Sequence, residues 1–444
     1  MEEFVGQNAD DCIPTYVSTC EKDIYSPGKI ESKTEVNPLE RPIEYDSLIE
    51  NAFTVREINL ETILKEHHEK LETTRLFKEL TSGELKPSDY LRLTESYMPK
   101  ELISSQCFGE IKSLAGNFSG NLTSFFGFES RLNESDEKSD YLFAISAKKG
   151  EREALVDLIE SDKFSMFRSR PEWQQIAKFA NVWANPYSIL HKEVLGLWFE
   201  FDSYDFLSLI PTPNIFLQTT PLKIDTLEDI QKCTWVTREA FPLLTGQHLS
   251  KKMEKRILRC IQKLPKGASC IHFGVMLSRP TEGVRLVLNR IRPNQIIPYL
   301  KSIGWSEDSE ELSSLLKELD KYVTRIVLHI NVGNVIDPKI GLECSFYPDK
   351  YHLESGWSNF FEYLTKKGLC IPEKKSALLR YSGVEEDTNE NFNMNSYMIA
   401  TKIPKDTFSH ALVRYISHVK IIFSPYHPLE AKAYPGVRLF GRSQ

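Results

Sequence analysis

The chain has 444 residues, 41% hydrophobic and 26% charged, with a formal net charge of -7. That length and composition allow a sizeable core, lack the basic excess of a protein built to hold a nucleic-acid polyanion, and include no run of about 18 apolar residues to span a bilayer. The opening MEEFVGQNADDC has neither the basic nor the apolar region of a secretory signal, so a cytoplasmic protein without nucleic-acid or membrane partners is expected.

Residues 1–45 are polar and contain SPGK and NPLERP, a composition that suits a poorly ordered arm. Residues 46–140 carry helical patterns in SLIENAF, LETILKEHHEKLETTRLFKEL and KPSDYLRLTESYM. This region would pack outside the main domain or offer a docking surface to a protein partner. His67 and His68 lie in its run of alternating charges and read as solvated. The apolar-poor tract SRLNESDEKSD marks the boundary before a domain spanning 141–444.

That domain is a repeat. The helical pattern EWQQIAKFANVW leads to strands LGLWFEFD and NIFLQTT, and two helices, TLEDIQKCTWVTREAFPLL and SKKMEKRILRCIQKL, lead to CIHFGVMLS and GVRLVLNRI. NQIIPYLKSIGW and SEELSSLLKELDKYV then precede RIVLHINV and KIGLECSF, and WSNFFEYLTKKGL with PEKKSALLRY precede SYMIATKI, HVKIIF and LEAKAYPGV. Strands joined by tight turns are antiparallel, and the paired helices must bury their apolar stripes on one face of the sheet. The expected class is α+β: a closed or nearly closed antiparallel barrel of repeated ααββ units with helices outside.

The helices claim the apolar strand faces, so the polar faces point inward. Side-chain alternation then places in the lumen Trp198, Glu200, Asp202, Gln218, His272, Met276, Arg285, Asn289, Arg325, His329, Asn331, Glu343, Ser345, Lys402, Lys420, Glu430, Lys432 and Tyr434. Arg, His, Asn and Trp are over-represented for a water-facing sheet, and these are types that make directed hydrogen bonds and stacking contacts.

A cylinder of about ten antiparallel strands with a polar lumen and outer helices resembles the ABBA-type aromatic prenyltransferases, the PT barrel. The resemblance covers roughly residues 160–444 and is one of architecture. It implies transfer of a prenyl group from an allylic diphosphate to an aromatic or peptide acceptor inside the lumen. It also implies Glu200 as a first-strand carboxylate that orients the acceptor, and Arg285, Lys402, Lys420 and Lys432 as a diphosphate clamp. Lys432-Ala-Tyr434 is similar to the family's Lys-x-Tyr strand pattern, and Trp198 would shield an allylic cation. The pattern stands once, since the corresponding strands read Arg285-Leu-Val287 and Glu343-Cys-Ser345. No D-D-x-x-D metal motif is present; no cofactor is implied beyond Mg2+ accompanying a diphosphate.

Nucleotide, zinc-protease and hydrolase motifs are absent. The eight cysteines form no C-x-x-C pair and read as small buried hydrophobes. His329 and His272 would form a metal or acid-base pair if their strands were neighbours, and Glu343 would pair with Arg325. Two other functions fit the same lumen: a non-catalytic barrel that binds a peptide or small molecule, and a peptide-modifying enzyme using Glu200, His329 and Glu343 for acid-base chemistry. Asn289 and Arg325 belong to the substrate-binding wall in each case.

Overall fold

In the computed structural model, residues 86–441 are described, apart from 120–121, 123–124, 149, 207, 209, 280–282, 347–355 and 387–409. Eleven strands form one sheet: β1 (Phe125–Arg131), β2 (Ser139–Ser146), β3 (Val194–Phe201), β4 (Asn214–Leu222), β5 (Ser269–Val275), β6 (Val284–Asn289), β7 (Arg325–Val332), β8 (Ile336–Ser345), β9 (Gly383–Glu386), β10 (His410–Ser424) and β11 (His427–Gly441). Every pairing is antiparallel, and the order β11-β1-β2-β3-β4-β5-β6-β7-β8-β10 returns to β11 through β10. Ten strands therefore close a ring, while β9 lies on the first residues of β10, Ala411–Arg414, along the edge where β8 pairs further on. The architecture is the closed antiparallel barrel with helices outside that the repeat implied.

Alternation gives each strand two jobs. One face of the sheet joins the helices in a continuous hydrophobic cluster, to which β3 contributes Leu197, Phe199 and Phe201, and β7 contributes Ile326, Leu328 and Ile330. The helices meet it with stripes of helical spacing. Pro171–Ala184, with proline at its first turn, buries Trp173, Ile176, Phe179, Ala180 and Trp183. Lys251–Gln262, capped by Ser250, buries Met253, Ile257, Cys260 and Ile261. The six cysteines among the described residues are buried and free.

A second, smaller cluster lies on the other face of the sheet, inside the ring, and includes Phe125, Leu142, Trp198, Phe216, Val287, Val327, Tyr415 and Tyr434. The lumen is thus partly aromatic, which the polar-face reading understated.

The boundary expected near residue 140 is corrected by the strand pairing. β1 and β2 belong to the ring, and SRLNESDEKSD is the turn between them. Its charges mark a hairpin tip that meets water, and this composition cannot be told from that of a linker. The helices Pro87–Thr94 and Ser105–Ala115 precede this hairpin just as helix pairs precede the later ones. They make it the first of five ααββ units. KPSDYLRLTESYM contains the first of these helices; SLIENAF, LETILKEHHEKLETTRLFKEL, the residue 1–45 arm, His67, His68 and the strand SYMIATKI lie outside the described residues.

Candidate active site

The inward faces carry one connected set of polar groups, in which the register sets Glu343 opposite Lys420 and Lys420 opposite Lys432. At the end where β1, β3 and β5 finish, Glu129, Asp140, Glu200 and Asp202 come together with Lys432 and Arg279. Glu129 is fully engaged: Lys432 donates to its Oε1 and the Tyr434 hydroxyl to its Oε2. Burial opposes its ionisation, but Lys432 and Lys420 prevail and hold the carboxyl well below the ordinary range. Asp202 takes both arms of Arg279, with the Nε at 3.0 Å, and also accepts from Tyr204 at 2.8 Å and Ser278 at 2.5 Å. Among the described residues Glu200 has one polar side-chain contact, Arg279 Nη2 at 3.3 Å from Oε1. Burial, and then the charge of Glu129, push Glu200 up to about 7. It can hold or release a proton at neutral pH.

Opposite Lys432 stands Lys420 on β10, and Arg285 lies further round the ring on β6. Arg285 donates to Asn331 Oδ1 at 2.9 Å, and among the described residues neither cation lies within ion-pair distance of a carboxylate. Lys420 is 8% exposed. Burial, and then Arg285, bring its ammonium down to about 8. The Lys420 ammonium lies 5.9 Å from the centre of the Tyr434 ring, and that ring stacks on His418 at 4.1 Å.

Opposite Lys420, on β8, Glu343 Oε1 lies 2.6 Å from His329 Nε2 and 3.5 Å from His418 Nε2. Burial is the first cause that keeps the histidines here uncharged, lowering His418 to about 4, His272 to about 3 and His329 well below the ordinary range. Arg325 donates to Asn289 Oδ1 at 3.4 Å. An aromatic wall completes the lining: Phe125 meets Trp198 edge-on at 4.9 Å, and Phe216 lies so close over Gly274 that a Cβ there would sit 2.6 Å from the ring.

Of the candidate site residues, Trp198, Glu200, Arg285, Asn289, Arg325, His329, Glu343, Lys420, Lys432 and Tyr434 face this interior, and Lys402 lies outside the described residues. Their grouping differs in four ways. Lys432 lies opposite Lys420 across the β10–β11 pairing but is ion-paired to Glu129, because β1, missed as a strand, brings that carboxylate beside it. Glu200 is on the third strand; the first-strand carboxylate is Glu129. His272 and His329 are not on adjacent strands, since β6 separates β5 from β7. Glu343 pairs with His329, while Arg325 turns to Asn289. Sequence reasoning also missed Arg279, which sits in a turn and carries no periodic signal, and His418, two residues before Lys420. Among the described residues no group of three or more His, Cys, Asp or Glu is arranged to hold a metal ion, and no helix is long and apolar enough to cross a membrane.

No family model matches the chain, and neither does any curated protein. Among solved structures, the fold is similar to 5-dimethylallyltryptophan synthase from Streptomyces coelicolor, at 10% identity and a TM-score of 0.47, over 79% of this chain and 97% of that one. It is similar also to 6-dimethylallyltryptophan synthase from Micromonospora olivasterospora in complex with DMASPP and Trp, at 11% identity and a TM-score of 0.46, over 79% and 97%. The prenyltransferase PriB in its apo form matches at 10% identity and a TM-score of 0.45, over 78% and 94%. These are likenesses at the level of the fold.

Proposed function

We propose that this barrel transfers a prenyl group from an allylic diphosphate to an aromatic or peptide acceptor held in its lumen. The observation that carries the reading is that Lys420 and Arg285 both face the interior, near enough for the guanidinium to depress the ammonium, with neither ion-paired to a carboxylate among the described residues. A buried ammonium repelled by a nearby half-buried guanidinium calls for an anion to offset the charge. A diphosphate supplies that anion, and charged donors on its oxygens favour departure of the electron pair as the carbon–oxygen bond breaks.

The allylic cation so formed needs π faces and exclusion of water. Tyr434, with Lys420 against its ring, and the Trp198–Phe125 wall provide the faces. The acceptor's π or lone-pair electrons close the new bond, and its proton must then leave. Glu200, poised near 7, orients the acceptor. Glu129 is saturated by Lys432 and Tyr434 and serves to position them. Mg2+, where the reaction uses it, enters with the diphosphate.

Thermal unfolding of the purified protein with dimethylallyl diphosphate, geranyl diphosphate and inorganic pyrophosphate tests the reading, since a ligand of the native state raises the melting temperature. The expected result is stabilisation by all three, larger for the prenyl diphosphates. No stabilisation by any of them removes the reading; stabilisation without product from any acceptor favours the non-catalytic binding barrel.

A further inference from the structure

Gly341 on β8 faces the lumen between His329 of β7 and Lys420 of β10. A Cβ there would come within 2.8 Å of Lys420 Cε and 3.2 Å of His329 Cβ. The missing side chain lets the lysine stem and the imidazole share one space. Beyond it, His329 brings Nε2 to 2.6 Å from Glu343 Oε1, with both side chains 3% exposed. Among the described residues neither atom makes a hydrogen bond of ordinary geometry, and His418 Nε2 stands 3.5 Å from the same Oε1. Two bare lone pairs at that separation would repel, so one proton lies between them.

We propose that the His329–Glu343 pair is the proton acceptor of the lumen, and that an anion bound at Lys420 and Arg285 arms it. The proposal rests on the diphosphate reading above. The charged and titratable groups facing the pair are His272 from β5, Arg285 from β6, Arg325 from β7, His418 and Lys420 from β10, and Glu129 from β1. Without a ligand, Lys420 and Arg285 add to burial in keeping a further proton off His329. A bound diphosphate cancels these two repulsions and leaves the attraction of Glu129, with Glu343 in contact with the ring.

In the transfer, the electrons of the allylic carbon–oxygen bond leave with the diphosphate. The acceptor's electrons form the bond to carbon, and the electrons of its broken bond to hydrogen remain with it. The released proton adds to His329, and Glu343 stabilises the imidazolium. Glu200 lies on another strand beside Arg279, so orientation of the acceptor and removal of its proton fall to different carboxylates.

The test is calorimetric binding of inorganic pyrophosphate at about pH 6.5, in buffers of different ionisation enthalpy, to the parent, His329→Gln and Glu343→Gln. At that pH Lys420 already carries its proton, and the protonation of pyrophosphate itself is common to all three proteins. The parent should take up more protons per pyrophosphate, by a sizeable fraction of one, and both substitutions should abolish the excess. Glu343→Gln, which keeps the side chain's shape, decides the matter if His329→Gln does not fold. Equal uptake in parent and variants overturns the proposal while leaving the anion site standing. No pyrophosphate binding by the parent removes both the proposal and the diphosphate reading.

Discussion

Replacing Lys420 by Met keeps an unbranched side chain and removes the charge that the proposed function requires. Its ammonium is brought from 10.5 down to about 8 by burial and Arg285. At about 1.4 kcal/mol for each tenfold change, that displacement amounts to about 3 kcal/mol. The folded value lies below the unfolded one, so the folded state bears this cost wherever both states are protonated, below about pH 8. It sheds the cost as pH rises from about 8 toward 10.5, where only the unfolded chain still holds the proton. Lys420→Met should therefore be more stable than the parent by about 2–3 kcal/mol at pH 7 in urea unfolding, with the gap narrowing toward pH 10. Pyrophosphate should stabilise the parent and leave the variant unchanged. A variant less stable than the parent at pH 7 would mean that Lys420 is held by a stabilising partner, and the case for an anion at this position would collapse.

Glu200 is displaced the other way, to about 7 from 4.5, so its contribution to stability is lost as pH rises between these values; Glu200→Gln should flatten that slope and gain about 2–3 kcal/mol at pH 8 relative to the parent, read from urea midpoints at pH 5 and 8. Gly341→Ala puts a methyl group against Lys420 and His329 and should cost about 1–3 kcal/mol while weakening pyrophosphate binding in calorimetry. Lys374, 1% exposed, donates to the carbonyls of Arg131, at 2.6 Å, and Asp136; Lys374→Met leaves those acceptors unfilled and should cost about 2–4 kcal/mol. Limited proteolysis of that variant should cut first in the β1–β2 turn.

What was legible follows from where alternation is clean. On β7 and β8 the outward residues are apolar and the inward ones mostly polar, so His329, Arg325 and Glu343 could be assigned to the lumen from spacing alone. β1 reads FFGFESR, with phenylalanines on both faces, because Phe125 lines the aromatic part of the lumen while Phe126 and Phe128 face the helices. A strand that is apolar on both sides shows no period of two, so Glu129 went unseen, and with it the partner of Lys432. Bulges hide other neighbours: the register shifts between Ile416 and His418, and again between Cys270 and His272, so counting by twos fails across them. Arg279 reaches two carboxylates from a turn, where only three-dimensional placement reveals it.

The closing seam joins strands that are far apart along the chain. β1 pairs with β11, Phe125 opposite Arg438, so about 300 residues must be looped before this ladder can form, and loops of that span make for slow folding. During synthesis the free edge of β1 stays open until β11 has emerged, while the intervening hairpins can assemble on their own neighbours as they appear. Aggregation should therefore arise at this seam, by capture of the β1 or β10 edge by a strand of another chain, and a substitution that loosens β11 should lower the yield of soluble protein more than an equally destabilising change in an outer helix.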